Sequence, residues 1–124
     1  MIPTVLQVAL GGAIGAAARY GVGVVMFRPQ SGFPIGVLAV NILGSFLMGA
    51  AVVYLGQKML GHLNPFLMTG ILGGFTTFSA FSLEAYNLFE SGEVGQAATY
   101  VILSVTLSIA ALVAGILIMR GVLA

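Results

Sequence analysis

Cysteine and tryptophan are absent from the 124 residues, and charge is scarce: four Lys and Arg, three acidic residues and one histidine. Without cysteine there are neither disulfides nor thiolate metal ligands, and His62 alone does not make a transition-metal centre. A net charge of +1 offers no basic surface to a nucleic acid. The shortage of charge also excludes a soluble domain. With 60% of residues hydrophobic, 6% charged and a mean hydropathy of +1.15, the chain carries more apolar surface than a water-soluble fold can cover. The lipid bilayer and small solutes are the partners left.

An apolar run crosses a bilayer as a helix once it reaches roughly 20 residues. Four such runs, at 4–26, 35–57, 66–89 and 96–120, take up almost the whole chain, which reads as one all-α transmembrane domain over 1–124. The first run has no Lys or Arg ahead of it and is too long for a signal-peptide core, so it reads as a permanent helix. The connections, Arg28 to Pro34, Gly61 to Pro65 and Ser91 to Glu93, are short and rich in Pro, Gly and Asn, so successive helices run up and down as neighbours.

Glycine is plentiful, with 18 residues, and pairs such as Gly11/Gly15 and Ser45/Gly49 have the small-xxx-small spacing that lets helices approach closely in lipid. Four short helices make a thin bundle, so an oligomer is expected. Lys and Arg in the loops normally set orientation. Here Lys58 and Arg120 fall on one side and Arg28, with Arg19, on the other, a bias close to nil. That balance suits insertion in both directions and an antiparallel homodimer, or a protein oriented by other signals.

The third run is rich in Gly and Thr between Gly70 and Thr77, residues that weaken a helix interior. A break near Gly73 to Thr77 is expected. Within a bilayer it would free backbone groups that need protein, an ion or a water-filled cavity; a glycine-rich packing kink is the plainer alternative. In the second run Asn41 stands among apolar residues. In the fourth, Tyr100, Ser104 and Ser108 recur every fourth residue along one stripe. These groups either hydrogen-bond between and within helices or form a polar track of donors. Such a track, with no buried Lys or Arg and no relay of carboxylates, suits an anion better than a cation, which would want carbonyl or acidic rings. Phe75, Phe78 and Phe81 recur beside it, as core residues or as rings turning electropositive edges to an anion. Glu84 is a functional candidate or an interfacial anchor. Arg19 reads as an anchor or a partner for backbone carbonyls.

The run Gly73-Gly74-Phe75-Thr76-Thr77-Phe78-Ser79-Ala80-Phe81-Ser82-Leu83-Glu84 resembles the signature of the Fluc (CrcB) family of fluoride channels. Gly11, Gly12, Gly15 and Arg19, the Val40-Asn41 pair with Gly44, and Tyr100/Ser104/Ser108 extend the resemblance over nearly the whole chain. It implies a dual-topology antiparallel homodimer with two fluoride pores in a bacterial inner membrane, exporting fluoride passively. By that resemblance Asn41 donates to the ion, Phe78 and Phe81 form an aromatic box, and Tyr100, Ser104 and Ser108 line the track. Thr77, Ser79 and Ser82 add hydroxyls, and Glu84 stands at a pore mouth. The resemblance also implies a structural sodium ion at the dimer centre, held by the carbonyls of Gly73 and Thr76 from both protomers. Val37, Ala39 and Phe75 depart from the family pattern, which bears on the vestibule and the box.

Three rivals stand beside this reading. A small proton-coupled multidrug transporter needs a carboxylate in its first helix, where this chain has only Arg19 as an ionisable group. A non-transporting assembly subunit would carry no ion flux. An enzyme is the least supported, because no nucleophile, base and orienting group converge.

Overall fold

The computed structural model describes residues 2–26 and 33–124, and among them every regular element is helical. Helix α1 spans Thr4–Val25 and α2 spans Ile35–Gln57, each starting directly after a proline, Pro3 and Pro34. Proline suits a helix entrance because its φ is already near the helical value and its missing N–H would have no intrahelical acceptor there. Most of the first connection, Arg28 to Gly32, lies outside the described residues.

The third span is built in pieces. A 3-10 turn at Gly61–Leu63 leads into a π-helix at Pro65–Leu72, followed by the single turn α3, Gly73–Phe75. The backbone then extends through Thr76 (φ −82°, ψ 159°) and Thr77 (φ −152°, ψ 127°) before α4, Phe78–Glu90, begins. The expected break is present, at the C-terminal end of the stretch named for it. The last helix, α5, runs Val94–Leu123, two residues earlier and three later than its apolar run. Among the described residues, four spans are long and apolar enough to cross a membrane. Outward apolar side chains such as Val5, Ile14, Ile109 and Ile118 suit a lipid surrounding.

Glycines decide which helices touch. A Cβ on Gly11 or Gly15 would run into backbone of the third span, at Phe66 and Ile71. Gly74 in turn lies against Gly12, where a Cβ would come within 2.7 Å of the carbonyl oxygen. Helices α2 and α5 meet the same way, Gly49 against the Leu112 carbonyl and Gly115 against that of Phe46. Lipid gives no hydrophobic reward for pairing two apolar helices, so backbone-to-backbone approach through small residues supplies the dispersion that holds them. Gly44 of α2 leaves room for the Thr76 methyl and the Phe75 ring, which brings α2 against the break.

Two helices end with the same motif. After α4, Glu93 N–H donates to the Leu88 carbonyl (2.9 Å) and Gly92 N–H to that of Phe89 (3.1 Å), with Gly92 at φ +84°. After α2, Leu60 N–H reaches Leu55 (2.8 Å) and Met59 N–H reaches Gly56 (3.3 Å), with Met59 at φ +57°. This Schellman closure needs a left-handed residue, which glycine adopts freely and methionine does not. A small buried cluster of Phe81, Leu88, Ala97 and Tyr100 then ties α4 to α5, with Phe33, Val37 and Leu38 packed onto it from the entrance of α2.

Because the atoms facing Gly15 are backbone, Gly15→Val has nowhere to relax and costs about 3 kcal/mol or more of stability. Gly21, with open space around its would-be Cβ, accepts alanine at no cost. Thermal midpoints of the two detergent-solubilised variants check this: equal midpoints would show that the α1 contact is not tight.

Candidate functional site

The site grows out of the interruption at Thr76 and Thr77. In an unbroken helix the Thr77 N–H would donate to the Gly73 carbonyl. Here it donates to Asn41 Oδ1 (2.8 Å), while Asn41 Nδ2 donates to the Thr77 carbonyl (2.9 Å). One side-chain amide thus satisfies both backbone groups of the extended residue, in a place where an unsatisfied pair would cost several kcal/mol. The Ala80 N–H, the regular donor to the Thr76 carbonyl, binds Thr77 Oγ1 instead (3.1 Å), which caps α4. The carbonyls of Gly73 and Thr76 therefore lose their regular helical donors. Arg19 Nε donates to the carbonyl between them in sequence, that of Gly74 (3.1 Å). Thr76 turns its hydroxyl back to the Leu72 carbonyl (3.0 Å), which its N–H also reaches.

A cavity of about 330 Å³ opens beside the break. It brings together Asn41 and Ser45 of α2, Thr76 and Thr77 of the break, Phe78 and Phe81 of α4, and Ser104 and Ser108 of α5. The Ser104 side chain is buried, and its Oγ has no hydrogen-bond partner among the described residues. A hydroxyl left so costs about 1–3 kcal/mol, a cost that a water or an ion in the cavity would offset. Tyr100, fully buried, adjoins it through its ring, 5.3 Å from that of Phe81. Phe81 is in turn 5.4 Å from Phe78. Phe33, which nothing in the sequence singles out because it lies in a loop, continues the row by an edge contact with Tyr100 at 5.5 Å and 84°.

The two phenylalanines named for one box differ in setting. Phe81 is core, 8% exposed, whereas Phe78 is 76% exposed on the protomer. Ser79 and Ser82 do not reach the cavity. Ser79 lies 3.3 Å from the Thr77 hydroxyl on the exposed side, and Ser82 donates to its own helix at the Phe78 carbonyl (3.0 Å). Phe75 is buried against Gly44 and takes no part in the cavity lining. Glu84 belongs to a second cavity, about 350 Å³, which it shares with Arg19, Val37 and Thr77. Thr77 lines both cavities.

Comparison with known proteins bears on what such a site belongs to. The family described as "CrcB-like protein, Camphor Resistance (CrcB)" matches residues 6–116. A protein of Ruegeria sp. (strain TM1040) named "Fluoride-specific ion channel FluC" is 66% identical over 99% of both chains. Proteins of the same name from Paracoccus denitrificans and Cereibacter sphaeroides are 54% and 58% identical, each over 98% of both chains. With the family match covering most of the sequence and relatives this similar from end to end, the chain belongs to the CrcB family.

Proposed function

We infer that this protein is a fluoride-specific ion channel that lets fluoride leave a bacterial cell passively across its inner membrane, so protecting the cytoplasm. The observation that carries this reading is the cavity at the helix break, whose walls supply hydroxyls, an amide and aromatic rings but no fixed positive charge. Fluoride gives up its water only where donors replace it, and it leaves again only if they do not hold it as a cation would. Ser104 and Ser108 are the hydroxyl donors of the stripe, with Tyr100 beside them. An amide carries two N–H bonds. One of those on Asn41 serves Thr77, and the second is the donor for the ion. Phe78 and Phe81 turn their electropositive edges to it. Thr77, whose oxygen accepts from Ala80, has a proton to give to the ion when Ser79 is the donor in their shared contact. Ser79 and Ser82 act only where a second copy closes over the exposed side of α4, and Glu84 stands at the mouth of the neighbouring cavity opposite Arg19.

That second copy is part of the proposal. The balanced loop charge supports an antiparallel homodimer inserted in both orientations, and such a dimer would cover the exposed Phe78. The carbonyls of Gly73 and Thr76, deprived of their helical donors, are hard oxygen ligands that suit a sodium ion shared between protomers, as carbonyl rings elsewhere replace the hydration shell of an alkali cation. Its role would be structural, neutralising carbonyl dipoles at the centre of the dimer.

Purified protein reconstituted in liposomes is expected to release fluoride and to retain chloride, followed with ion-selective electrodes; equal release of both would exclude a fluoride-specific channel. In the same assay Phe78→Ile separates ion contact from packing. Because Phe78 is exposed on the protomer, losing the ring removes little of the protomer's core, and isoleucine keeps an apolar side chain for a second copy to cover, so fluoride efflux should fall at least tenfold while the dimer still elutes intact. Efflux that declines only in step with dimer stability would make the ring a packing residue.

Asn41→Asp keeps an acceptor for the Thr77 N–H, removes the donor to the Thr77 carbonyl and sets a negative charge in the path of an anion. One hydrogen bond to a charged group is worth about 1.5–3 kcal/mol, so efflux should drop by more than tenfold. Unchanged efflux would take Asn41 out of the pathway.

The dimer and its sodium are tested at Gly73. A Cβ there meets only the Met68 carbonyl, at 3.4 Å, so a side chain can begin at Gly73 without a clash inside one protomer, and Gly73→Val probes what lies beyond it. Its expected effect is loss of dimer and of flux with helix content kept, whereas Thr76→Val, which retains the carbonyl, should be mild. A Gly73→Val protein that dimerises normally, or a cysteine introduced at Ala124 that labels from one side of the membrane only, would argue against this assembly.

A further inference from the structure

We propose that the donor stripe of α5 does not end at Tyr100 but continues one turn to Gln96, whose side-chain amide is the last protein group that fluoride, or the water it carries, meets before the membrane surface. The inference rests on the channel reading above. Gln96, Tyr100, Ser104 and Ser108 are spaced four apart, so they form one gently drifting row along α5, about 18 Å from end to end at 1.5 Å per residue. Gln96 Oε1 is enclosed, yet it has no hydrogen-bond partner among the described residues, a condition it shares with Ser104 Oγ two turns further along the same row. Two buried polar atoms left open on one row mark a path for a solute that hydrogen-bonds.

The ordinary task of a glutamine at this position is already filled. Gln96 is the third residue of a helix capped by Glu93, where glutamine commonly reaches back to the N–H of the cap. The Glu93 N–H is committed to the Leu88 carbonyl (2.9 Å), so a capping box has no donor left for Gln96. A half-turn of the amide exchanges Oε1 for Nε2, so the enclosed position can present N–H donors to an anion or an acceptor to its water. The edge contact of Phe33 on Tyr100 sets this end of the row beside the entrance of α2, at the rim of the bundle. Here an amide, uncharged and able to turn, can pass fluoride on to bulk water without holding it.

The test uses purified full-length protein in liposomes with fluoride as the probe. Gln96→Met keeps length and volume but removes both donors; Gln96→Leu serves if the Met variant does not fold, and Gln96→Asn restores an amide. Fluoride efflux should fall about tenfold in the Met variant and recover in part in the Asn variant, while the thermal midpoint stays level or rises because an unpaired polar atom has gone. Efflux equal to wild type, or falling only with the midpoint, would overturn the role of Gln96. Wild-type protein that moves no fluoride would overturn the channel reading itself, which this control tells apart.

Discussion

A helix that stops inside a bilayer leaves N–H and C=O groups with no water to bind, and the arrangement here turns on how the Asn41 amide meets that demand at Thr77. Its two ends take both backbone groups of one extended residue, across two different helices. Close approach of α2 to the break is a precondition, and Gly44 supplies it by leaving space for Thr76 and Phe75. On the other flank Gly15 and Gly74 bring α1 near enough for Arg19 to reach the Gly74 carbonyl. Small residues thus act twice, holding helices together and placing polar side chains at the right depth.

The interruption has a second effect on packing. By ending one helical segment at Phe75 and starting another at Phe78, the chain sets α4 against α5, with Phe81 on the buried Tyr100. A straight continuation from the π-helix would keep one face throughout the span. The extended pair lets the first half serve α1 and the second half serve α5. The hydroxyls of α5 and the amide of α2 then line one cavity together with the interrupted stretch of the third span.

Much of this was legible in the sequence, for identifiable reasons. Apolar runs of bilayer length mark the spans, and the excess of Gly and Thr before Phe78 marks the break. The partner of Asn41 was not legible, because Thr77 lies 36 residues away and the bond is to backbone, which any residue carries. The π-helix over Pro65–Leu72 leaves no trace either, since its apolar residues would suit an α-helix equally well. Ser82 lies only about 40° around α4 from Phe78 at 3.6 residues per turn, so spacing alone could not tell a cavity hydroxyl from one that bonds its own helix. Met59 also runs against sequence logic, holding a left-handed position where glycine is the usual occupant.

Thr77 lines both cavities, of about 330 and 350 Å³. Its hydroxyl caps α4 and its backbone holds the Asn41 amide, so one residue ties the start of a helix, the break before it and two cavity linings together. A change there cannot be confined to one of them: removing the hydroxyl uncaps α4, at a cost of about 1 kcal/mol, and reshapes both cavities at once.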